Sequence, residues 1–186
     1  MNILVSPLPK TVDVAGASVA IRSGYRTGIQ VARTADADLS DIIKASVILR
    51  LYFGEQVPDD TAAAFEAAMW FLRCGEDADA PSRRPGRLLD WDHDAGMILA
   101  DFLREYGIDL ASPATQMHWW AFLAYFRNLS NKSETKTAIY YRSGNRPRGI
   151  KGDEAKRYDE MRRMYALPPR TAGEAVADEA AKWGDV

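Results

Sequence analysis

Reactive side-chain chemistry is scarce in this sequence. Its 186 residues include one cysteine, Cys74, and two histidines, His93 and His118. A lone cysteine forms no internal disulfide, which excludes a disulfide-framed fold and suits a reducing compartment. Three such residues do not make the four-ligand set of a structural zinc module. No apolar run approaches the roughly 18 residues of a membrane span. The start, MNILVSPLPK, lacks the basic lead and apolar stretch of a secretory signal. An excess of one charge is missing too. The chain has 24 basic and 26 acidic residues, a net −2, which removes the simplest argument for nucleic acid as partner. No G-x-G-x-x-G, Walker, G-x-S-x-G or H-E-x-x-H pattern occurs. The reading therefore assigns no catalytic residue, cofactor or metal.

What is present is a chain able to bury a real core. It is 47% hydrophobic, and a domain of this length buries roughly 70% of its unfolded surface. The near-zero net charge is a cancellation between blocks. Residues 76–111 carry −5, residues 132–170 carry +6, and residues 171–186 carry −3. Blocks of opposite sign attract each other within one chain or between copies.

The first 22 residues read as extended: Pro7 and Pro9 break helix, and Val12, Val14, Val19 and Ile21 alternate around a turn at Gly16. This predicts a hairpin of Thr11–Val14 against Ser18–Arg22. Helical segments follow. Tyr25–Ala35 is the weaker one, because Gly28, Ile29 and Val31 lower its propensity. Asp38 caps a stronger one with Leu39, Ile42, Ile43, Val47 and Leu51 as its core stripe, ended by Gly54 and Pro58. Asp60 or Thr61 caps the next, striped by Ala62, Phe65, Met69 and Leu72. Beyond the Gly/Pro-rich loop at about 75–89, Asp90 or Asp92 opens a helix that Gly107 stops. Ser112–Pro113 opens another that runs to Leu129 and is apolar nearly all round, the pattern of a buried or interface helix. Ser133 and Asp153 cap the last two. The fold class is mainly α, a single helical domain over residues 1–170 with a small N-terminal β-hairpin and an acidic tail over 171–186.

Four features invite a chemical reading. The Asp90, Asp92, His93, Asp94 cluster resembles part of a metal-dependent hydrolase site. It lacks an upstream histidine and is better explained as a helix N-terminus, where carboxylates suit the macrodipole. His118 fits an aromatic cluster better than a triad. Cys74, at the end of an apolar stripe, fits a buried small hydrophobe better than a nucleophile. Arg142, Arg146, Arg148 and Lys151 lie on a Gly/Pro-rich stretch whose cations suit either phosphates or an acidic protein surface, including this chain's own.

The segments YGIDL (Tyr106–Leu110), HWWAFLAYFRNL (His118–Leu129), IYYRS (Ile139–Ser143) and YDEMRRMYALP (Tyr158–Pro168) follow one another in a familiar order and spacing. Over residues 90–168 the chain resembles the bacteriophage "gene product fifteen" family of tailed phages and prophages, with a weaker likeness in LPKTVDV and GYRTGIQV. It departs from that pattern in its longer loop at Pro81–Arg87 and its acidic tail. The resemblance implies a non-enzymatic tail assembly chaperone. Such a protein is encoded between the tail tube and tape measure proteins and coats the tape measure protein in the host bacterial cytoplasm. The expected partners are the tape measure protein, the tail tube protein and further copies of the chain in head-to-tail contact, with no membrane. Trp119, Trp120 and Tyr125 are the candidate apolar contacts and Arg142, Arg146, Arg148 and Lys151 the polar ones. The alternative is a nucleic-acid-associated phage protein that uses those four cations.

Overall fold

The computed structural model describes residues 4–76, 87–144 and 146–169. Most of the expected Gly/Pro-rich loop and the acidic tail over 171–186 lie outside the described residues. The protein is mainly helical, 52% helix with one antiparallel hairpin near the N-terminus, as the sequence predicts. Contacts divide it into two compact units where the sequence reading has a single domain. One unit is Met1–Arg83 with Phe102–Leu129, and the other is Arg84–Asp101 with Ser130–Val186.

The first unit begins with β1 (Thr11–Val14) and β2 (Ala17–Ala20), paired so that Val12 faces Val19 and Asp13 faces Ser18. The two turn residues Ala15 and Gly16 have φ of 51° and 86°, the primed turn whose twist matches a two-residue hairpin. Asp13 Oδ1 accepts the Gly16 N–H at 3.2 Å. Val12 and Val14 are buried and their neighbours exposed, the period-2 pattern read from sequence. Ladder pairing stops short of the predicted Arg22 because the Arg22 N–H donates to the Tyr52 carbonyl at 2.9 Å.

Three helices follow: α1 (Tyr25–Asp36), α2 (Asp41–Phe53) and α3 (Thr61–Leu72). The weak propensity of α1 has a packing cause. Gly28 is buried, and a Cβ placed on it would lie 2.3 Å from Cδ2 and Cε3 of Trp119. Only a hydrogen at that position lets the indole lie against the helix backbone. Asp60 caps α3 by accepting the Ala63 N–H at 3.0 Å, as read.

The buried faces of α2 and α3 differ from the predicted stripes. In α2 the core positions are Ile48, Leu49, Tyr52 and Phe53, and Leu39, Ile42, Ile43 and Val47 are exposed. Tyr52 meets Phe71 edge-on at 5.6 Å, which draws the aromatic C-terminal turn of α2 inward. In α3 the small residues Ala64, Ala67 and Ala68 are buried with Phe71. Close helix packing uses the alanines and leaves Ala62 exposed and Phe65 and Met69 half-buried.

The helix α4 (Ala95–Tyr106) gives residues 102–106 to this unit and residues 95–101 to the other. Next comes α5 (Trp119–Arg127), six residues later than the Ser112–Pro113 signal predicts. The backbone of 110–118 is engaged elsewhere. Arg26 donates to the carbonyls of Leu110, Ser112 and Thr115 at 3.0, 2.7 and 3.2 Å. Met117 accepts the Tyr25 N–H at 2.9 Å, so these carbonyls are not available to a helix ladder.

The second unit holds the start of α4 with α6 (Glu134–Arg142) and α7 (Gly152–Met164). The fully buried Asp101 accepts the N–H groups of Glu134 and Thr135 at 3.2 and 2.8 Å. Ser133 accepts that of Lys136 at 3.1 Å, so the amides of the α6 N-terminus are satisfied from two side chains. Asp153, expected as a cap, is instead inside the first turn of α7. Tyr158 is the buried anchor of α7, 5.4 Å from the Tyr141 ring. Among the described residues no helix is long and apolar enough to cross a membrane.

Gly28→Ala is expected to destabilise the protein by about 1–3 kcal/mol, the range for forcing one methyl into a filled core. Urea denaturation of the variant beside the wild type checks it.

Candidate partner-binding surfaces

Three consecutive residues open α5, and their side chains are held by two parts of the first unit, the segment before the hairpin and the end of α3. His118 precedes the helix. Its Nδ1 accepts the Trp120 N–H at 3.1 Å and its Nε2 lies 2.8 Å from the Pro9 carbonyl. One ring nitrogen faces a donor and the other an acceptor, so the imidazole is neutral with its hydrogen on Nε2. Its ring sits 5.5 Å from Phe71 and 6.0 Å from Trp120, the expected aromatic cluster. Burial lowers its pKa and the charge of Lys10 adds to that effect, against the opposing Pro9 hydrogen bond. Trp119 donates its indole N–H to the Leu72 carbonyl and Trp120 to the Phe71 carbonyl, both at 2.9 Å. The end of α3 is thereby capped by two indoles.

These contacts bury the tryptophans: Trp119 is 2% exposed and Trp120 5%. Both were candidate partner contacts, and both are core. The indole N–H groups and carbonyls satisfy each other there, which a solvent-facing groove does not require. Phe122 continues the stack, nearly parallel to Phe102 at 5.0 Å and to Tyr25 and Trp119 at 5.5 Å each. Of the aromatic candidates only Tyr125 reaches the surface. It is 40% exposed and packs on Tyr106 at 4.8 Å.

The basic candidates separate in the same way. The Arg142 side chain is 4% exposed in the second unit, against an Asp94 that is fully buried. Nη1 donates to Asp94 Oδ2 at 2.5 Å and Nη2 to Oδ1 at 2.8 Å. Nε donates to the Tyr165 carbonyl at 2.6 Å and Nη1 also to that of Leu88 at 3.1 Å. This bidentate clamp, with two further bonds to backbone carbonyls, is what the geometry of arginine permits and that of lysine does not. Arg142 therefore ties segments of its own unit together and is not presented to a partner. Arg146, Arg148 and Lys151 are exposed. Arg146 lies 4.0 Å from Asp159.

The acidic cluster proves to be connective. Asp90 Oδ1 accepts the N–H groups of Asp92 and His93 at 2.9 and 2.8 Å, and its Oδ2 accepts from Arg87. Asp94 is held by Arg142 and by the Asp90 N–H at 2.9 Å. These carboxylates organise the turn before α4, which is the helix-start reading. Among the described residues no group of three or more metal-ligating side chains converges. Cys74 has a thiol pKa pushed up to about 11 by burial, so it is protonated at neutral pH and a poor nucleophile.

The surface that sequence reasoning missed lies on α2 and α3. Ile42 is 84% exposed. Beside it a groove of about 630 Å³ is lined by Ala45, Leu49, Val57, Ala62 and Phe65, with Ser46, Arg50 and Thr61 also at its walls. The signal was present: α2 carries apolar residues at 42, 43, 47, 48, 49, 51, 52 and 53, on every side of the helix. Such a helix cannot bury them all against one neighbour.

A family model described as "Bacteriophage Gp15 protein" matches residues 4–167. The match takes in the N-terminal hairpin and α1–α3 as well as the region of the four diagnostic segments. No curated protein and no solved structure matches the chain.

Two measurements probe this geometry. Arg142→Ala leaves Asp94 buried without its partner and is expected to cost about 3–5 kcal/mol in urea denaturation. The lowered pKa of His118 means that the unfolded chain binds its proton more readily. That contribution to stability is complete above about pH 6.5, the unperturbed histidine value, and is lost as the pH falls through the folded pKa. His118→Asn keeps a capping side chain without the titration, so its denaturation midpoint should fall less than the wild type's between neutral and mildly acidic pH.

Proposed function

Because the chain belongs to the bacteriophage Gp15 protein family, we propose that it is a tail assembly chaperone. In this reading it is a non-enzymatic protein that works in the host bacterial cytoplasm. It holds amphipathic helices of the tape measure protein until tail tube subunits assemble around them. A holder of this kind needs an exposed apolar channel with polar edges, reversible because its affinity is moderate.

One observation carries the reading beyond the family: the open apolar groove between α2 and α3. Its lining combines small residues such as Ala45 and Ala62 with the exposed Ile42 and the half-buried Phe65. Small residues let a third helix approach closely while Ile42 and Phe65 act as knobs. A groove between helices suits a helix. It presents no strand edge to an extended peptide. The nucleic-acid alternative is weakened because Arg142, one of its four cations, is enclosed by Asp94.

Co-purification with a helical fragment of the tape measure protein tests the proposal. Ile42→Asp and Ala62→Asp, both at exposed positions, should each weaken capture by about tenfold or more, a loss of roughly 1.4 kcal/mol. Replacing Arg146, Arg148 and Lys151 by Gln should leave capture nearly unchanged. A wild-type protein that captures no fragment overturns the function. Capture lost only in the triple variant overturns the groove.

A further inference from the structure

A second surface on α3 shares Phe65 with the helix groove. Trp70 is 37% exposed and lies 5.6 Å from Trp120, edge-on to it. Beside it lies a hollow of about 740 Å³. Its apolar walls are Ala15 from the hairpin turn with Ala63 and Ala67 from α3, and Met69 and Phe65 stand at its side. A large aromatic knob therefore forms part of a hollow whose lining includes three alanines. Exposed tryptophans next to such hollows are the residue type that dominates binding energy at protein interfaces.

The charges on this face are arranged about the knob. Asp13, whose Oδ1 accepts the Gly16 N–H, lines the hollow, and so do Glu66 and Arg73. Glu66 and Arg73 are seven residues apart, two helical turns, and so lie on the same side of the α3 axis. They are equally spaced about the Met69–Trp70 pair, one acidic and one basic. Arg73 is steadied by an Nε–H bond to the Glu76 carbonyl at 3.3 Å. A face with opposite charges at equal distances from an apolar centre is complementary to itself when a copy is turned by a two-fold rotation. Glu66 of each copy then meets Arg73 of the other, and each Trp70 enters the other's alanine-lined hollow. Parallel stacking of the same faces would instead set like charges against each other, which is disfavoured.

We propose that this α3 face is the contact through which the chain forms an isologous dimer, the occupant of the Ala15–Ala63–Ala67 hollow being Trp70 of a second copy. This differs from head-to-tail contact between the acidic and basic blocks, one pair of whose charges, Asp94 with Arg142, already meets within the second unit. The dimer contact does not depend on the chaperone reading, because its chemistry is confined to this chain.

Sedimentation velocity of the full chain over a range of concentrations tests the dimer. The wild type should pass from monomer to dimer as concentration rises. Trp70→Ala should raise the dimer dissociation constant by at least about tenfold. Since Trp70 also touches Trp120, the charge pair supplies a second test that leaves the core alone. Glu66→Arg and Arg73→Glu should each weaken the dimer, and the double variant E66R/R73E should restore it, because reciprocal pairing across a two-fold is recovered when both signs are exchanged. A wild type that stays monomeric at every concentration overturns the proposal. So does a dimer that neither single charge reversal affects. If the wild type is monomeric and Trp70→Ala abolishes capture of the tape measure fragment, the face belongs to that helix and not to a second copy.

Discussion

The first unit depends on how three adjacent residues, His118, Trp119 and Trp120, are satisfied at the start of α5. Each side chain carries polar nitrogen into an apolar setting, and each finds a backbone carbonyl: Pro9 before the hairpin, and Leu72 and Phe71 at the end of α3. The backbone does the same, since the Trp119 N–H donates to the Ser23 carbonyl at 2.8 Å. A buried indole N–H without an acceptor would cost of the order of 1–3 kcal/mol. The hairpin, α1 and α3 therefore have to be in place together for α5 to begin where it does. Gly28 belongs to the same constraint, because the Trp119 ring occupies the space of its missing side chain.

In the second unit the organising contact is electrostatic. Arg142 at the end of α6 reaches Asp94, Leu88 and Tyr165 at once, and Asp101 accepts from the first amides of α6. One helix is thus held at both ends by residues that precede α4 or lie in it. Tyr165 stacks on Tyr141 at 5.7 Å and donates to Glu134 Oε1 at 2.5 Å. Burial and that hydrogen bond push the Tyr165 hydroxyl up to about 12. The acidic middle and basic last third of the sequence are, in part, two halves of one set of intramolecular contacts.

This bears on what a partner can reach. The residues that drew attention in sequence, paired tryptophans and an arginine in a conspicuous motif, are largely the ones the fold uses for itself. Their distinctiveness reflects structural demands: an indole N–H with a fixed carbonyl, a guanidinium with a fixed carboxylate. The accessible apolar surface comes instead from ordinary-looking residues, Ile42, Phe65 and Trp70 among them, on helices whose apolar content exceeds what one buried face can hold. Exposed apolar surface of this kind is what a protein interface uses.

Much of the fold was legible from local chemistry alone. Alternating valines and a glycine turn marked the hairpin, Asp60 and Ser133 marked helix starts, and Gly54 and Gly107 marked helix ends. These signals work because capping and left-handed turns are decided within a few residues. The diagnostic segments carried the family, and apolar spacing with capping signals carried the helical class. Which face of α2 and α3 is buried could not be decided that way. Both helices are apolar on more than one side, and periodicity ranks faces only when one of them is polar. The choice fell to packing: Tyr52 against Phe71, and alanines of α3 where helices approach closely. Likewise Arg142 reads as a loop cation until Asp94, 48 residues earlier, is brought beside it. Local sequence determined where the elements lie and what caps them. Only the tertiary structure decided which side chains are enclosed and which remain for a partner, because enclosure depends on contacts between residues far apart in the chain.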